Sequence, residues 1–126
     1  MNKIVDDALT RRVNGCALQV HSVLRQGLLE SSYEQCLCIE LEGYGIRFSR
    51  QVYLPIRYKS TVIENAYKVD LLVNDELIVE IKSIEKVLPV HKAQVRTYLI
   101  HAGLQRGLLF NFNVESLKSG IYRISV

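Results

Sequence analysis

The stretch from residue 67 to residue 83, YKVDLLVNDELIVEIKS, constrains the fold most, because two apolar runs flank a polar turn in it. The runs, residues 67–73 and 77–84, are rich in Val, Ile and Leu, whereas the NDE sequence between them is typical of a tight turn. This combination predicts a β-hairpin. The second run is almost continuously apolar, which indicates a strand that is covered on both faces. Charged residues inside such a strand are costly unless they are paired or bind a metal.

Three charged side chains, Asp70, Glu80 and Lys82, lie within the predicted hairpin. Side chains along a strand alternate between its two faces, so Glu80 and Lys82 share one face. By the same rule, Asp70 shares a face of its own strand with Lys68 and Leu72. Facing residues across a hairpin have a constant index sum, so Asp70 reaches the face of Glu80 and Lys82 only with an odd loop, such as the three-residue turn, or with a bulge. That register would set Asp70 directly opposite Glu80.

Two carboxylates that face each other across a hairpin repel by up to about 1 kcal/mol. A divalent cation bound by Asp70 and Glu80 would reverse that repulsion. Mg²⁺ takes one or two carboxylates together with waters and phosphate oxygens, so the pair suits the hydrolysis of phosphodiesters. Lys82 would orient or deprotonate the attacking water, or stabilise negative charge in the transition state. The alternative is that these charges only mark the solvated face of a hairpin.

Length and composition are those of an ordinary globular protein. The 126 residues suit one domain, residues 1–126, with 48% hydrophobic and 23% charged residues. The net charge of +3 is mildly basic, and the Lys and Arg residues are scattered. No apolar run approaches the roughly 18 residues of a spanning helix, and the N-terminus is too charged for a signal peptide. We therefore expect a cytoplasmic protein with no membrane association, whose three cysteines are reduced core thiols.

Periodicity and turn residues predict the order α-α-β-β-β-α-β-β. Pro55 predicts an irregularity or an edge position in the first strand. At the start of the second helix, Ser31 and Glu34 fit a capping box that would leave Glu30 outside the first turn. If Glu30 lies inside, it shares a helix face with Tyr33. The predicted helices cover residues 6–25, 30–42 and 90–102, and the strands cover 48–58, 61–73, 77–84, 106–112 and 121–126.

Three motifs occur together in this chain: Gly27-Leu-Leu-Glu30-Ser-Ser-Tyr33, then Asp70 with Glu80-Ile81-Lys82, then Gln94-Val-Arg-Thr-Tyr98. With them, the chain closely resembles the GxxExxY protein family, which belongs to the PD-(D/E)XK nuclease-like superfamily. The likeness runs from about residue 5 to the C-terminus and includes the HKAQ segment that begins at His91. The first two motifs together are specific, whereas the third alone is weak.

The resemblance implies a restriction-endonuclease-like α/β (α+β) core, in which a mixed β-sheet is flanked by helices and the hairpin carries the site. It implies that Asp70 and Glu80 hold Mg²⁺ or Mn²⁺ and that Lys82 serves the water. The Ile81 backbone carbonyl would complete the coordination. Glu30 resembles the extra acid that the first core helix supplies to the metal site.

Gln94 and Tyr98 resemble a helix motif that lies over the site, where they would contact substrate or steady the metal ligands. Helical spacing places His91 on the same face, as a phosphate contact or a proton carrier. Each residue also has a structural explanation. Glu30 favours the positive end of a helix, and Tyr98 packs in the core. Gln94 caps a turn or lies in solvent, and His91 is a surface residue near a helix start.

Two positions depart from the family pattern. Val69 precedes Asp70 where the superfamily name has a proline, at a position that is often relaxed. Lys92 stands where an acid is expected in the HxAQ segment, and it changes surface charge away from the Gln94 face. All signature positions are present, which argues against an inactive enzyme.

The leading interpretation is a Mg²⁺-dependent nuclease that hydrolyses phosphodiester bonds in DNA or RNA. The alternative is a non-catalytic module that keeps the nuclease fold and binds nucleic acid or a protein. A third interpretation is a small oligomer in which the acidic cluster forms a pH-sensitive interface. The chain has no helix-turn-helix and no basic tail, which does not favour sequence-specific cutting by a monomer. A homodimer, formed through the sheet edge or the N-terminal helix, would widen the footprint.

Overall fold

The computed structural model describes residues 7–126, which form three α-helices and five strands. The predicted order of elements is confirmed, and the ends of each element lie within two residues of the predicted ends. The arrangement is consistent with a restriction-endonuclease-like fold. In chain order the elements are α1 (Ala8–Leu24), α2 (Glu30–Gly43), β1 (Phe48–Tyr58), β2 (Thr61–Val73), β3 (Leu77–Lys82), α3 (Pro89–Ala102), β4 (Arg106–Asn111), a 3₁₀ turn (Leu117–Gly120) and β5 (Ile121–Ser125).

The five strands form one mixed sheet in the order β1-β2-β3-β4-β5. β3 and β4 are parallel and are connected through α3, whereas the other neighbouring strands are antiparallel. One face of the sheet packs against α1 and α2 in a core that includes Leu71 and Phe110. The other face packs against α3 in a core that includes Ile78 and Leu99. β3 is therefore buried on both faces, as its apolar run predicted.

A side-chain cap marks the start of α1 but not the start of α2. Asp7 is the N-cap of α1, and its carboxylate accepts a backbone N–H of the first turn at 2.8 Å. The predicted start of this helix at Asp6 lies outside the described residues. α2 begins at Glu30 without a side-chain cap, so the Ser31 and Glu34 capping box does not form. Glu30 consequently lies inside the first turn of α2.

The central hairpin has the predicted register, because Leu71 pairs with Val79. The same register extended by one residue sets Asp70 opposite Glu80. The preceding β1–β2 hairpin is longer, and its register shifts beside Pro55. This shift confirms the irregularity that the proline predicted.

Strand β2 changes faces at Asp70. Leu71 belongs to the core under α1 and α2, whereas Val69 belongs to the α3 core. Leu72 lies on the α3 side as well, so Lys68 and Leu72 are on opposite faces. The prediction that Asp70 shares one face with both of them is wrong. Strict alternation fails here because an irregularity in a strand rotates the residues that follow it.

The helices carry the cysteines at the positions expected of core thiols. Cys16 and Cys38 are buried, Cys36 is partly buried against the same core, and all three are free. Within residues 7–126, no helix is long and apolar enough to cross a membrane.

Candidate active site

Asp70 and Glu80 lie side by side where β2 and β3 separate. The ladder between these strands ends at the pair Leu71 and Val79. Beyond it, the Asp70 N–H donates to Glu80 Oε2 at 2.7 Å, and the Ile81 N–H donates to Asp70 Oδ2 at 2.8 Å. Carboxylate oxygens thus accept the main-chain hydrogen bonds that a continued ladder would make. The structure brings the two acids together at the predicted position.

The carboxylate pair is short of positive charge. Glu80 is only 6% exposed. Burial, together with the nearby Asp70 carboxylate, raises the pKa of Glu80 to about 7. Burial also raises the pKa of Asp70, although the hydrogen bond from the Ile81 N–H acts in the opposite direction. Lys82 favours the ionised form of both acids, but it forms no salt bridge with a residue in the part of the chain that the structure describes.

Contacts from β4 hold the end of β3 that carries Lys82. The Phe112 N–H donates to the Lys82 carbonyl at 2.9 Å. Asn111 is buried, and its side chain accepts the Ile84 N–H at 3.1 Å and donates to the Ile84 carbonyl at 3.0 Å. The Lys82 backbone is therefore fixed, while its half-buried side chain lies on the strand face of Glu80.

Glu34 is a further buried acid near the pair, and sequence reasoning missed it. Glu34 Oε2 accepts from Arg50 Nε at 3.0 Å, and Glu34 Oε1 accepts from Gln51 Nε2 at 2.8 Å. Gln51 Nε2 also approaches Asp70 Oδ1 at 3.4 Å, from a residue with a left-handed φ of 51°. The negative charge of Glu34 raises the pKa of both Asp70 and Glu80. Gln51 therefore joins Glu34 to the carboxylate pair, whereas Arg50 contacts Glu34 alone.

Glu30 lies one helical turn before Glu34, and this spacing is a sequence signal that could have found Glu34. The Glu30 side chain is exposed, and its Oε2 accepts the Ser83 N–H at 3.2 Å. The Ser83 hydroxyl donates to the Leu28 carbonyl at 2.6 Å. Glu30 and Leu28 therefore attach the start of α2 to the residue that follows Lys82.

Tyr33 closes the loop between α1 and α2. Its ring is fully buried and stacks on Phe112 with the centroids 4.5 Å apart. Its hydroxyl donates to the Arg25 carbonyl at 2.5 Å and accepts the Leu28 N–H at 3.1 Å. Gly27 lies inside this loop with a φ of 105°, a conformation that favours glycine. Gly27 and Tyr33 of the first motif are thus explained by the shape of the loop that precedes α2.

The Tyr33 hydroxyl gives a first testable prediction. We expect Tyr33→Phe to lower the free energy of unfolding by about 1–3 kcal/mol, because two backbone groups lose a buried partner. Urea denaturation followed by circular dichroism measures this change. Tyr44→Phe is the matched control, since Tyr44 is 62% exposed. Equal losses in both variants would contradict the role assigned to the Tyr33 hydroxyl.

Tyr98 of α3 lies close to the acids, as its position in the third motif predicted. Its ring stacks on Tyr67 with the centroids 4.6 Å apart. Burial, together with the negative charges of Glu80 and Asp70, raises the pKa of Tyr98. The side chain therefore lies within electrostatic range of both carboxylates.

The other two predicted residues of α3, His91 and Gln94, make no hydrogen bond to Asp70 or Glu80. His91 Nδ1 accepts the Leu88 N–H at 2.8 Å, so His91 caps the start of α3. Gln94 is exposed, and its side chain makes no hydrogen bond to another residue within 7–126. The structure thus gives His91 a structural role and leaves Gln94 at the helix surface.

The donor set fits a hard divalent cation that keeps much of its water. Among residues 7–126, no group of three or more His, Cys, Asp or Glu side chains is placed to hold a metal ion. Mg²⁺ needs only one or two carboxylates when water and phosphate oxygens fill its other positions, and Mn²⁺ also prefers oxygen ligands. Asp70 and Glu80 supply two carboxylates, and their pKa values are raised first by burial and then by neighbouring carboxylates, so a bound cation would favour their ionised forms.

Two of three comparisons with known proteins find a match. A sequence model described as the PD-(D/E)XK nuclease superfamily matches residues 7–124. A solved structure titled "Crystal structure of SSO0001" is similar to the chain, with a TM-score of 0.49 and 16% sequence identity. The alignment covers 96% of this chain and 79% of that chain. No curated protein matches the chain at a significant level.

Proposed function

Because this chain belongs to the PD-(D/E)XK nuclease superfamily, we propose that it is a metal-dependent nuclease that hydrolyses phosphodiester bonds in DNA or RNA. The observation that carries the proposal is the hydrogen-bonded pair of half-buried Asp70 and buried Glu80, with Lys82 on the strand face of Glu80. Gly27, Tyr33 and the rest of the first motif support a finer placement in the GxxExxY family.

The proposed cation is Mg²⁺ or Mn²⁺, with Asp70 and Glu80 as its ligands and the Ile81 carbonyl as a third. Such an ion would polarise the scissile phosphate and lower the pKa of a bound water. The protein already holds both carboxylates in position, since each accepts a backbone N–H. Preorganised ligands of this kind reduce the reorganisation that the reaction requires.

The remaining residues act on water, on the phosphate or on the ligands. Lys82 would hold the attacking water or donate to the phosphate oxygen that gains charge. Tyr98 would donate its hydroxyl to a phosphate oxygen. Glu34 and Glu30 are positioning residues in this scheme, because they contact the Gln51 amide and the residue after Lys82.

Substrate contact by two further residues of α3 stays a prediction. Gln94 is exposed and free to reach a nucleotide. His91 accepts the Leu88 N–H at Nδ1, which leaves its Nε2–H to donate to a phosphate. A single domain, a cytoplasmic location and a homodimer also stay predictions.

Cleavage assays test the proposal on single- and double-stranded DNA and RNA, in linear and circular form. The wild-type protein should cut at least one substrate in the presence of Mg²⁺ or Mn²⁺, and cleavage should stop when EDTA is added. We expect Lys82→Met to lower the cleavage rate by about 10²-fold, because a donor to the developing charge is lost. Calorimetry should still detect Mn²⁺ binding by this variant.

Lys118→Met is the matched control for Lys82→Met. Lys118 is exposed in the 3₁₀ turn, so its removal should leave the cleavage rate unchanged. Full activity of Lys82→Met would contradict the role of Lys82. Failure of the wild type to cut any substrate while it binds Mn²⁺ would contradict the nuclease assignment.

A further inference from the structure

The β1–β2 hairpin extends past the carboxylate pair as an arm, which we define as residues 52–69. β2 pairs with β3 only from Leu71 to Val73, so the arm has no partner from β3. Its two strands pair with each other as far as Tyr58 and Thr61 at the tip. The arm is therefore hydrogen-bonded to no other strand of the described sheet.

The two faces of the arm differ in chemistry. On one face, Leu54 and Tyr67 are partly buried and pack against the α3 core. The opposite face carries Tyr53, which pairs with Lys68 across the hairpin, and Arg57, which lies four residues along β1. These three side chains are exposed. We call them the arm face.

Charge and aromatic surface coincide on the arm. Residues 52–69 contain three basic residues and one acidic residue, which gives +2 of the net charge of +3 for the whole chain. No salt bridge among residues 7–126 involves Arg57, Lys59 or Lys68. Tyr53 is 57% exposed, and Lys68 Nζ lies 5.5 Å from its ring centroid. At the tip, Lys59 Nζ lies 5.4 Å from the ring centroid of Tyr58.

We propose that the arm face binds a single nucleic-acid strand and leads its backbone to Asp70 and Glu80. Unpaired basic side chains attract phosphates, and an exposed tyrosine ring offers a stacking surface to a base. A single strand presents phosphates and unstacked bases together, whereas the bases of a duplex are already stacked. This chemistry does not distinguish DNA from RNA. Binding of a strand by the arm face does not depend on the proposed nuclease function, whereas the path of that strand toward Asp70 and Glu80 rests on it.

The arm is connected to the carboxylate pair. Lys68 lies two residues before Asp70, a separation of roughly 7 Å along an extended strand. Tyr53 and Arg57 are separated by roughly 13 Å along β1. A strand held along the arm face would therefore come close to Asp70.

Fluorescence anisotropy in EDTA tests the inference, because binding is then measured without cleavage. The probes are a short labelled DNA strand, an RNA strand of the same sequence and the DNA duplex. We expect the wild type to bind at least one single strand more tightly than the duplex. The double variant Arg57→Glu and Lys68→Glu should bind it at least about tenfold more weakly, and the salt dependence of log K should fall by about 1.4.

Two single-site variants complete the design. Tyr53→Ala should weaken binding of the single strand by about tenfold through lost stacking, with little change in salt dependence. Lys118→Glu reverses one exposed charge on the 3₁₀ turn, which packs against β4 and α1, and should change the affinity by less than about twofold. Thermal melts confirm that all variants are folded.

Unchanged affinity in the double variant would overturn the inference, even if the wild type cleaves its substrate. Tighter binding to the duplex than to either single strand would also overturn it. A change of oligomeric state without a change in affinity would overturn it and assign the arm to self-association. Binding that depends on the arm in a protein that never cleaves would support the arm face while rejecting the proposed nuclease activity.

Discussion

Asp70→Asn is expected to abolish Mn²⁺ binding and to lower the cleavage rate by at least about 10³-fold. The substitution keeps the size of the side chain, and its amide oxygen can still accept the Ile81 N–H. It removes one of the two anionic ligands that the site offers to a hard cation. Titration calorimetry measures the first effect, and single-turnover cleavage measures the second.

Asp75→Asn provides the matched control in the same hairpin. Asp75 lies in the turn, 3.4 Å from Arg47 in an ion pair whose acidic side chain is 72% exposed. Its removal should leave Mn²⁺ binding and cleavage unchanged, because exposed ion pairs contribute little. Wild-type levels of binding and cleavage in Asp70→Asn would show that the centre lies elsewhere.

If the wild-type protein binds no Mn²⁺ in the absence of substrate, the same titration is repeated with a non-cleavable phosphorothioate strand present. Mg²⁺-type sites with only two carboxylates use phosphate oxygens as ligands, so substrate can complete the site. Binding that appears only with the strand and only when Asp70 is intact would support capture of the metal by enzyme and substrate together. Loss of binding in both titrations would favour a fold kept for binding alone.

Local sequence patterns were sufficient to predict the helices and strands and to predict that Asp70 faces Glu80. The apolar runs and the odd turn set the hairpin register, and this register places Asp70 opposite Glu80. Glycine and proline punctuation set the helix ends, as at Pro89 and Gly103. These features depend on residues that are close in sequence, so they can be predicted from the sequence alone.

Contacts between segments that are distant in sequence could not be predicted from local patterns. The Glu34 contacts depend on Arg50 and Gln51, which reach it only after α2 packs on the sheet. The left-handed Gln51 is not a glycine, so no residue type marked the change of faces at Asp70. His91 was placed near the start of the correct helix, but its role as a cap could not be predicted without the position of the Leu88 N–H.

The metal-free protein is expected to lose stability as the pH rises from about 4.5 to about 7. Glu80 has an ordinary pKa of 4.5, and in the folded state its pKa is raised to about 7. Below both values the group is protonated in folded and unfolded chains and has no effect. Between them, the unfolded chain releases the proton while the folded protein retains it, so the free energy of unfolding falls. At about 1.4 kcal/mol per pKa unit, the full loss above pH 7 is roughly 3 kcal/mol.

Glu80→Gln should remove most of this dependence. The amide oxygen can accept the Asp70 N–H as the carboxylate does, but the side chain has no charge to bury. Above pH 7 the variant should therefore unfold at higher urea than the metal-free wild type, by up to roughly 3 kcal/mol. Part of the dependence should persist, because the pKa of Asp70 is raised as well. Glu115→Gln, at an exposed position, should follow the wild type at every pH.

Added Mg²⁺ separates a functional cause of this instability from a purely structural one. If the buried charge of Glu80 is kept for a cation, Mg²⁺ should stabilise the wild type above pH 7 and leave Glu80→Gln unchanged, since ligands stabilise only the state that binds them. The variant should then be more stable than the metal-free wild type and inactive in cleavage. A wild-type protein whose stability does not change between pH 4.5 and 7 would contradict the buried, uncompensated state of Glu80. A stabilisation by Mg²⁺ that is equal in both proteins would place the cation away from the carboxylate pair.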